Sequence, residues 1–350
     1  MLSSIPYSAR SHEAFRRMSS LFLGIDTSNY RTSAAVIDSE GRILKQKAVL
    51  LDVPEGKRGL RQSDAFFMHC NRLPGYIEEI FGSIDPASIK AVGVSERPRR
   101  VEGSYMPCFI AGVNAGREIA SALRVPVYGF SHQEGHAAAV MEGDGAETDS
   151  DTLFFHLSGG TTEALLCRPD NHGYSMEIIG GTRDISVGQL FDRFGVAMGM
   201  PFPSGRFLDD MAYEALEKSG FDIKLVKKTG VIPKLKLNEG YFNLSGAETR
   251  LMRYADAQGT VSSSDVIADL FASVSELLIN DAQYLRDRYC ADNIYMAGGV
   301  ASSRTFRAIA SRINIRDMHF GSPELSGDNA VGIAFLARRI NETGNSISGK

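Results

Sequence analysis

Two histidines four residues apart, His132 and His136, stand in the hexapeptide Ser131-His-Gln-Glu-Gly-His136, between an apolar run (Val125 to Phe130) and an alanine-rich one (Ala137 to Met141). That context predicts a strand entering a helix, with Ser131 and Glu134 as a capping box. Side chains at i and i+4 share a helix face, so both imidazoles would project the same way and could chelate one ion. Two nitrogens do not complete a site. An oxygen ligand must come from elsewhere in the chain, leaving positions for water or substrate. Spacing alone is equally compatible with two solvated histidines on an exposed face. A peptidase zinc helix is disfavoured, because it needs Glu directly after the first His, where Gln133 stands. Glu134 is turned by about 100° from that place.

The segment Ser158-Gly-Gly-Thr-Thr162 lies between two apolar runs, and its glycines and hydroxyls could bare backbone N–H groups to a phosphate. A tight hairpin that uses glycine for positive φ is the alternative. Gly298-Gly299-Val300 ends another apolar run, and glycine pairs at strand C-termini are where α/β clefts accept ligands. Together the two turns point to ATP-type binding, without a Walker motif or GxGxxG. Asp328 reads locally as a helix N-cap, and is also the type of oxygen donor that the histidine pair lacks. Asp192 falls in an amphipathic helix, as a solvated charge or an acceptor for a ribose hydroxyl.

These residues need strands and helices to position them. Leu21–Ile25 and Thr32–Ile37 predict a hairpin, and Leu153–Leu157 with Glu163–Cys167 repeats it. One offset of 132 residues sets Leu21 on Leu153 and Asp38 on Asp170 without a gap, which suggests an internal duplication. Further strands are expected at 43–51, 91–95, 126–130, 174–179 and 293–297. Helices are expected near 63–81, 109–123, 186–200, 247–255 and 264–289, with others beginning near Asp209, at Ser303 and after Asp328. The alternation predicts an α/β fold. Residues 218–243 are lysine-rich and poorly periodic, and read as an excursion rather than core.

At 350 residues and 43% hydrophobic, the chain can bury a large core in two lobes, residues 21–150 and 151–350. A net charge of −4 means that any nucleic-acid contact needs a partner or a local patch such as Arg97, Arg99 and Arg100. Cys70, Cys108, Cys167 and Cys290 lack CxxC spacing and read as reduced core residues of a cytoplasmic protein. No apolar run is long enough to span a bilayer. Residues 1–20 are rich in Ser and Arg without an apolar core, and read as a disordered tail or an over-long start rather than a secretory signal.

In order and spacing, these stretches resemble the TsaD-like tRNA threonylcarbamoyladenosine transferase family. The likeness rests on Gly24-Ile-Asp-Thr-Ser28, His132 to His136, Leu157-Ser-Gly-Gly-Thr161, Gly188-x-x-Phe-Asp192, Pro203-Ser-Gly205, Ser245-Gly246, Ala297-Gly-Gly-Val300 and Asp328-Asn-Ala330. The resemblance implies duplicated ribonuclease-H-like lobes of the actin/sugar-kinase/Hsp70 (ASKHA) fold. It implies a divalent metal, Fe²⁺ or Zn²⁺, on His132, His136 and Asp328. It also implies that Leu157, Ser158, Gly159, Gly160, Asp192, Gly205 and Ser303 line a site for threonylcarbamoyl-AMP or ATP. The implied reaction passes the threonylcarbamoyl group to N6 of adenosine in tRNA (t6A formation), with protein partners and no membrane. It assigns no catalytic side chain. The chain departs from the family pattern at Asn29-Tyr-Arg-Thr32, where the family carries Cys-Asp-Glu-Thr, at Glu96-Arg-Pro-Arg-Arg100, at Glu248 and at Ser303. Two alternatives follow: a diverged carbamoyl or acyl transferase with another acceptor, and a non-catalytic nucleotide- and metal-binding partner subunit.

Overall fold

A computed structural model describes residues 20–28, 30–52, 60–143, 150–171, 173–257, 261–322, 324–327 and 330–347. The N-terminal tail and Asp328 lie outside these described residues. The first elements are β1 (Leu21–Ser28), β2 (Arg31–Asp38), β3 (Ile43–Leu50), α1 (Gln62–Phe81), β4 (Ile89–Arg97), α2 (Phe109–Leu123), β5 (Val127–Ser131) and α3 (His132–Met141). There follow β6 (Thr152–Leu157), β7 (Thr162–Asp170), β8 (Gly173–Thr182), α4 (Val187–Ala197), α5 (Gly205–Glu217) and β9 (Tyr241–Phe242). The remainder is α6 (Ser245–Asp256), α7 (Ser263–Tyr289), β10 (Asn293–Ala297), α8 (Arg304–Ile313), β11 (Met318–Phe320) and α9 (Val331–Ile347).

The chain divides into two compact units, and the division falls inside α3, between Gly135 and His136. The first unit holds a sheet of order β3-β2-β1-β4-β5, antiparallel through β3, β2 and β1 and parallel through β1, β4 and β5. In the second unit the order is β11-β10-β6-β7-β8-β9. Its first five strands, taken from β8 to β11, repeat the order and directions of the first sheet. The duplication expected from one constant offset is thus present in the topology. β9 is an addition that pairs parallel to β8 through Gly181 and Thr182.

The last helix follows the second sheet in sequence, yet it belongs to the first unit. Gly24 and Gly93 are register partners on β1 and β4. A Cβ on Gly24 would lie 2.2 Å from the Ala330 carbonyl oxygen, and one on Gly93 2.6 Å from that of Ile333. Two glycines side by side therefore let the α9 backbone rest on the sheet. With α2 also packed on β1, the strand is buried at all eight positions, as expected where helices cover both faces.

In the second unit the core forms between the sheet and α4, α5, α7 and α8, with Leu153, Phe155 and Leu157 on the inward face of β6. The excursion at 218–243 is mostly irregular, but Val226, Ile232, Leu235 and Leu237 pack against that core. It is tied to α7 by Asp269, which accepts hydrogen bonds from the Thr229 amide and hydroxyl at 2.8 Å each. Reading all four cysteines as core residues requires correction. Cys108 and Cys167 are buried, whereas Cys70 and Cys290 are exposed. Cys70 lies on an outer position of α1 and Cys290 is the left-handed C-cap that follows α7, so apolar sequence neighbours do not bury either one. None of the described helices is long and apolar enough to cross a membrane.

Asp281 of α7 is fully buried, and neither carboxylate oxygen has a hydrogen-bond partner among the described residues. Burial pushes its carboxyl up to about 8. The unfolded carboxyl titrates near ~4, so the native state holds an extra proton between these values and stability falls as pH rises through that window. Asp281→Asn is expected to raise the urea midpoint at pH 8, by more than about 1 kcal/mol of stability, and to flatten the decline between pH 5 and 8. Parallel declines in variant and wild type would contradict this account.

Candidate functional site

The ends of β6 and β10 bring the two glycine turns together. These strands are parallel neighbours, with Ala297 opposite His156, so their following turns emerge on one edge. The Val300 amide donates to the Leu157 carbonyl at 2.9 Å. Gly298 has φ +101°, and a Cβ there would stand 2.3 Å from the same carbonyl oxygen. Here glycine is required by both conformation and space.

Gly159 and Gly160 differ from Gly298. Neither has positive φ, and a Cβ on either would meet nothing within 4 Å. The segment is a hairpin turn between β6 and β7, but it does not need glycine for positive φ, and Gly159 leaves open backbone beside a cavity. The turn is held by the Ser158 amide donating to Thr161 O at 2.8 Å and by the Ser186 hydroxyl donating to Gly159 O at 2.7 Å. Ser186 also caps α4 in a reciprocal capping box with Gln189. Gly188, the second residue of that helix, admits the Ser158–Gly159 backbone, since a Cβ on it would stand 2.5 Å from Gly159 Cα.

The cavity has a volume of about 510 Å³. Gly159, Asp192, Gly205 and Ser303 line it, as do Gly188, Phe191, Asp209, Phe271 and Arg304. Asp192 Oδ1 accepts from the Ser204 and Gly205 amides at 2.8 and 3.0 Å, fixing the start of α5. Its sequence neighbour Arg193 pairs with Glu248 at 2.7 Å, so the acid at 248 neutralises a cation of the same rim. Ser303 is the N-cap of α8 and donates its hydroxyl to Asp209 at 2.6 Å.

Sequence reasoning missed Asp209, Phe191 and Phe271. The two phenylalanine rings stack at 4.5 Å and form an apolar wall. Asp209 had one available signal: it borders the buried stripe Leu208, Ala212 and Leu216 of α5, where a carboxylate needs partners. It finds them in the Arg304 amide at 2.8 Å, the Thr305 amide at 3.0 Å and the Ser303 hydroxyl.

The histidine helix begins as its sequence predicts. Ser131 accepts from the Glu134 amide at 3.2 Å, while Glu134 accepts from the Ser131 amide at 2.8 Å and hydroxyl at 2.7 Å. Glu134 is thereby buried in a cap, consistent with rejecting it as the base of a peptidase. His132 Nδ1 lies 3.0 Å from Asp26 Oδ1 at the end of β1. The His136 and His156 ring centroids are 5.2 Å apart. Among the described residues, no group of three His, Cys, Asp or Glu is arranged to hold a metal, and the third expected ligand, Asp328, lies outside them. The arginine cluster is partly neutralised, with Arg97 paired to Glu96 and Arg100 to Glu134.

Fold and site together define a duplicated α/β protein of the ASKHA type with a cavity of about 510 Å³ in its second unit. Solved structures agree on the fold. A full-length HypF in phosphate- and nucleotide-bound form matches with a TM-score of 0.54 at 11% identity, covering 94% of this chain and 56% of HypF. The Acidaminococcus fermentans (R)-2-hydroxyglutaryl-CoA dehydratase component A matches with a TM-score of 0.50 at 14% identity, over 93% of this chain and all of the other. The TsaD family profile, described as tRNA N6-adenosine threonylcarbamoyltransferase, matches residues 57–335. Relatives bearing that name include one from Halalkalibacterium halodurans, 30% identical over 91% of this chain and 90% of its own. Another, from Streptococcus suis, is 27% identical over 91% of each chain. This chain belongs to the TsaD family.

Asp209→Ala removes the acceptor of three donors at the start of α8. It is expected to lower stability by about 1–3 kcal/mol in urea denaturation. A loss below about 0.5 kcal/mol would show that the cap contributes little.

Proposed function

We propose that this protein transfers a threonylcarbamoyl group from threonylcarbamoyl-AMP to N6 of adenosine in tRNA. The observation that carries the reading is the pair of glycine turns, 158–160 and 298–300, joined at Leu157 and bordering the cavity. Open backbone at Gly159 and Gly160 suits the phosphate of an adenylate. Asp192 Oδ1 is taken by two amides, and Oδ2 is the oxygen available to a ribose hydroxyl. The Phe191 and Phe271 wall offers the apolar surface that an adenine needs. Ser303 is held by Asp209 and keeps the α8 N-terminus facing this ligand. Family membership supports the acceptor, tRNA adenosine, and the relatives bear the name of this activity.

A divalent metal, Fe²⁺ or Zn²⁺, on His132, His136 and Asp328 belongs to the same proposal. The donor set suits a transition ion, because α3 carries two imidazoles one turn apart. Asp26, 3.0 Å from His132 Nδ1, would serve as the carboxylate that orients a ligating imidazole. When bound, the ion supplies Lewis acidity toward the carbamoyl oxygen. In the transfer, a bond forms from adenosine N6 to the carbamoyl carbon, the carbon–oxygen bond to phosphate breaks, and AMP and a proton leave. Cytoplasmic protein partners of a threonylcarbamoylation complex complete the proposal.

A second reading, transfer to another acceptor, is favoured by Tyr30 and Arg31, which replace two acids, with Tyr30 39% exposed. Metal-loaded protein incubated with threonylcarbamoyl-AMP and unmodified tRNA reading ANN codons is expected to yield modified adenosine by mass spectrometry. Absence of product, with adenylate and metal bound, would overturn the tRNA acceptor in favour of the second reading or of an obligatory partner. His136→Ala is expected to lose stoichiometric metal with an unchanged circular dichroism spectrum, and full retention would refute the ligand assignment.

A further inference from the structure

The turn before α5 displays a ring that the adenylate reading leaves unused. Phe202 stands between Pro201 and Pro203 and is 77% exposed, more than any other large apolar side chain among the described residues. A solitary exposed apolar residue is ordinary on a protein surface, but this one sits on a turn pinned at both ends. The Met200 amide donates to Gly195 O at 2.9 Å, and the Ser204 hydroxyl donates to Pro201 O at 2.9 Å. Asp192 holds the Ser204 and Gly205 amides, and Gly195 makes room for Ser204, since a Cβ on Gly195 would stand 2.3 Å from that of Ser204. The two prolines restrict φ on either side of the phenylalanine. Pro203 lines the adenylate cavity, as does Arg206. Arg206 is exposed and has no ion pair among the described residues, and Phe207 beside it is 46% exposed. Two exposed rings thus flank an unpaired guanidinium in sequence at the cavity rim.

We propose that Phe202 is a stacking platform for an unpaired base of the RNA acceptor, close in sequence to the adenosine that is modified. The inference rests on the tRNA reading above and adds a determinant of how the acceptor is held. An exposed ring offers its face to any base, because every base has a π-face of its own. Such a platform suits loop nucleotides, whose bases can leave their stack, and not the bases of an RNA duplex. Pinning the turn before binding reduces the ordering cost when the base arrives. Arg206 fits the same strand, since a guanidinium fork matches the geometry of a phosphate. The position of the platform follows from the adenylate. Asp192 is assigned to its ribose, and the amides that Asp192 holds lead back into this turn, so Phe202 belongs to the ribose end. The carbamoyl carbon lies beyond the phosphate, and adenosine N6 must reach that carbon. Target and platform are therefore separated by roughly one ribose–phosphate unit, the span of about one or two nucleotides of an RNA strand.

The test measures binding of the full-length protein to unmodified tRNA reading ANN codons, by fluorescence anisotropy. The same tRNA is also prepared with a single abasic nucleotide at each position within two nucleotides of the target adenosine. Phe202→Ala is expected to bind intact tRNA about 5- to 150-fold more weakly, with an unchanged urea midpoint. One abasic tRNA is expected to show the same loss with wild-type protein, and no further loss with Phe202→Ala. Phe202→Trp should restore binding, and Phe202→Leu, which is apolar without a π-face, should not. Arg206→Ala is expected to weaken binding to every tRNA alike and to lower the slope of log affinity against log salt by about 0.7, a slope that Phe202→Ala leaves unchanged. Wild-type affinity in Phe202→Ala, full binding by Phe202→Leu, or equal losses on intact and all abasic tRNAs would overturn the platform. Weaker binding of AMP by Phe202→Ala would also overturn it, by placing the ring against the adenylate. Wild-type protein that binds no tRNA would overturn the tRNA acceptor itself, and the platform with it.

Discussion

The hydrogen bond from the Val300 amide to the Leu157 carbonyl is the contact on which the second unit's cavity depends. It joins the ends of two parallel strands whose turns would otherwise be independent loops. The bond forms only because residue 298 has no side chain, since any Cβ there would occupy the position of the same carbonyl. With the turns fixed to each other, α4 starts beside one and α8 beside the other. Both helix N-termini are thereby set beside the two turns, with their first amides taken by Asp209 and Ser303 in α8 and by Thr162 and Ser186 in α4.

Carboxylates then determine how that rim is held. Asp192 fixes the start of α5, Asp209 caps α8, and Asp184 accepts from the amides of Ile185, Leu244 and Ser245. Burial pushes the Asp184 carboxyl up, but these amides outweigh it and hold the group well below the usual carboxylate range. Each acid ties together segments far apart in sequence by satisfying backbone donors, not by pairing with a cation. In the first unit Asp26 has a different task. It closes β1 against the His132 ring, so the hairpin strand and the histidine helix are joined through a side chain.

The two sheets share one strand order, but their glycines serve different ends. In the first sheet Gly24 and Gly93 admit the backbone of α9. In the second, Gly159, Gly160 and Gly299 have nothing within 4 Å of an added Cβ. Gly298 in the second copy is as confined as Gly24 in the first, so open backbone there belongs to the turn residues 159, 160 and 299. A duplicated scaffold in this way keeps its topology while one copy alone forms the cavity lined by Gly159, Asp192 and Ser303.

Local chemistry was legible from sequence. The Ser131–Glu134 capping box, the two hairpins at a constant offset, the strand-to-turn transition at Ser158 and the helix start at Ser303 all rest on interactions within a few residues, which propensity and spacing encode. What the chain order concealed was decided by packing between distant segments. The last helix joins the first sheet because two glycines 69 residues apart meet under it. Cys70 and Cys290 face outward despite apolar neighbours. Asp209 reads as an ordinary helix residue until Ser303, Arg304 and Thr305 bring it their donors. His156 meets the His136 ring only because β6 sets it beside α3. Sequence specified which groups could bond locally, and the tertiary structure decided which distant groups would share a partner, because that choice depends on distances set by the whole sheet.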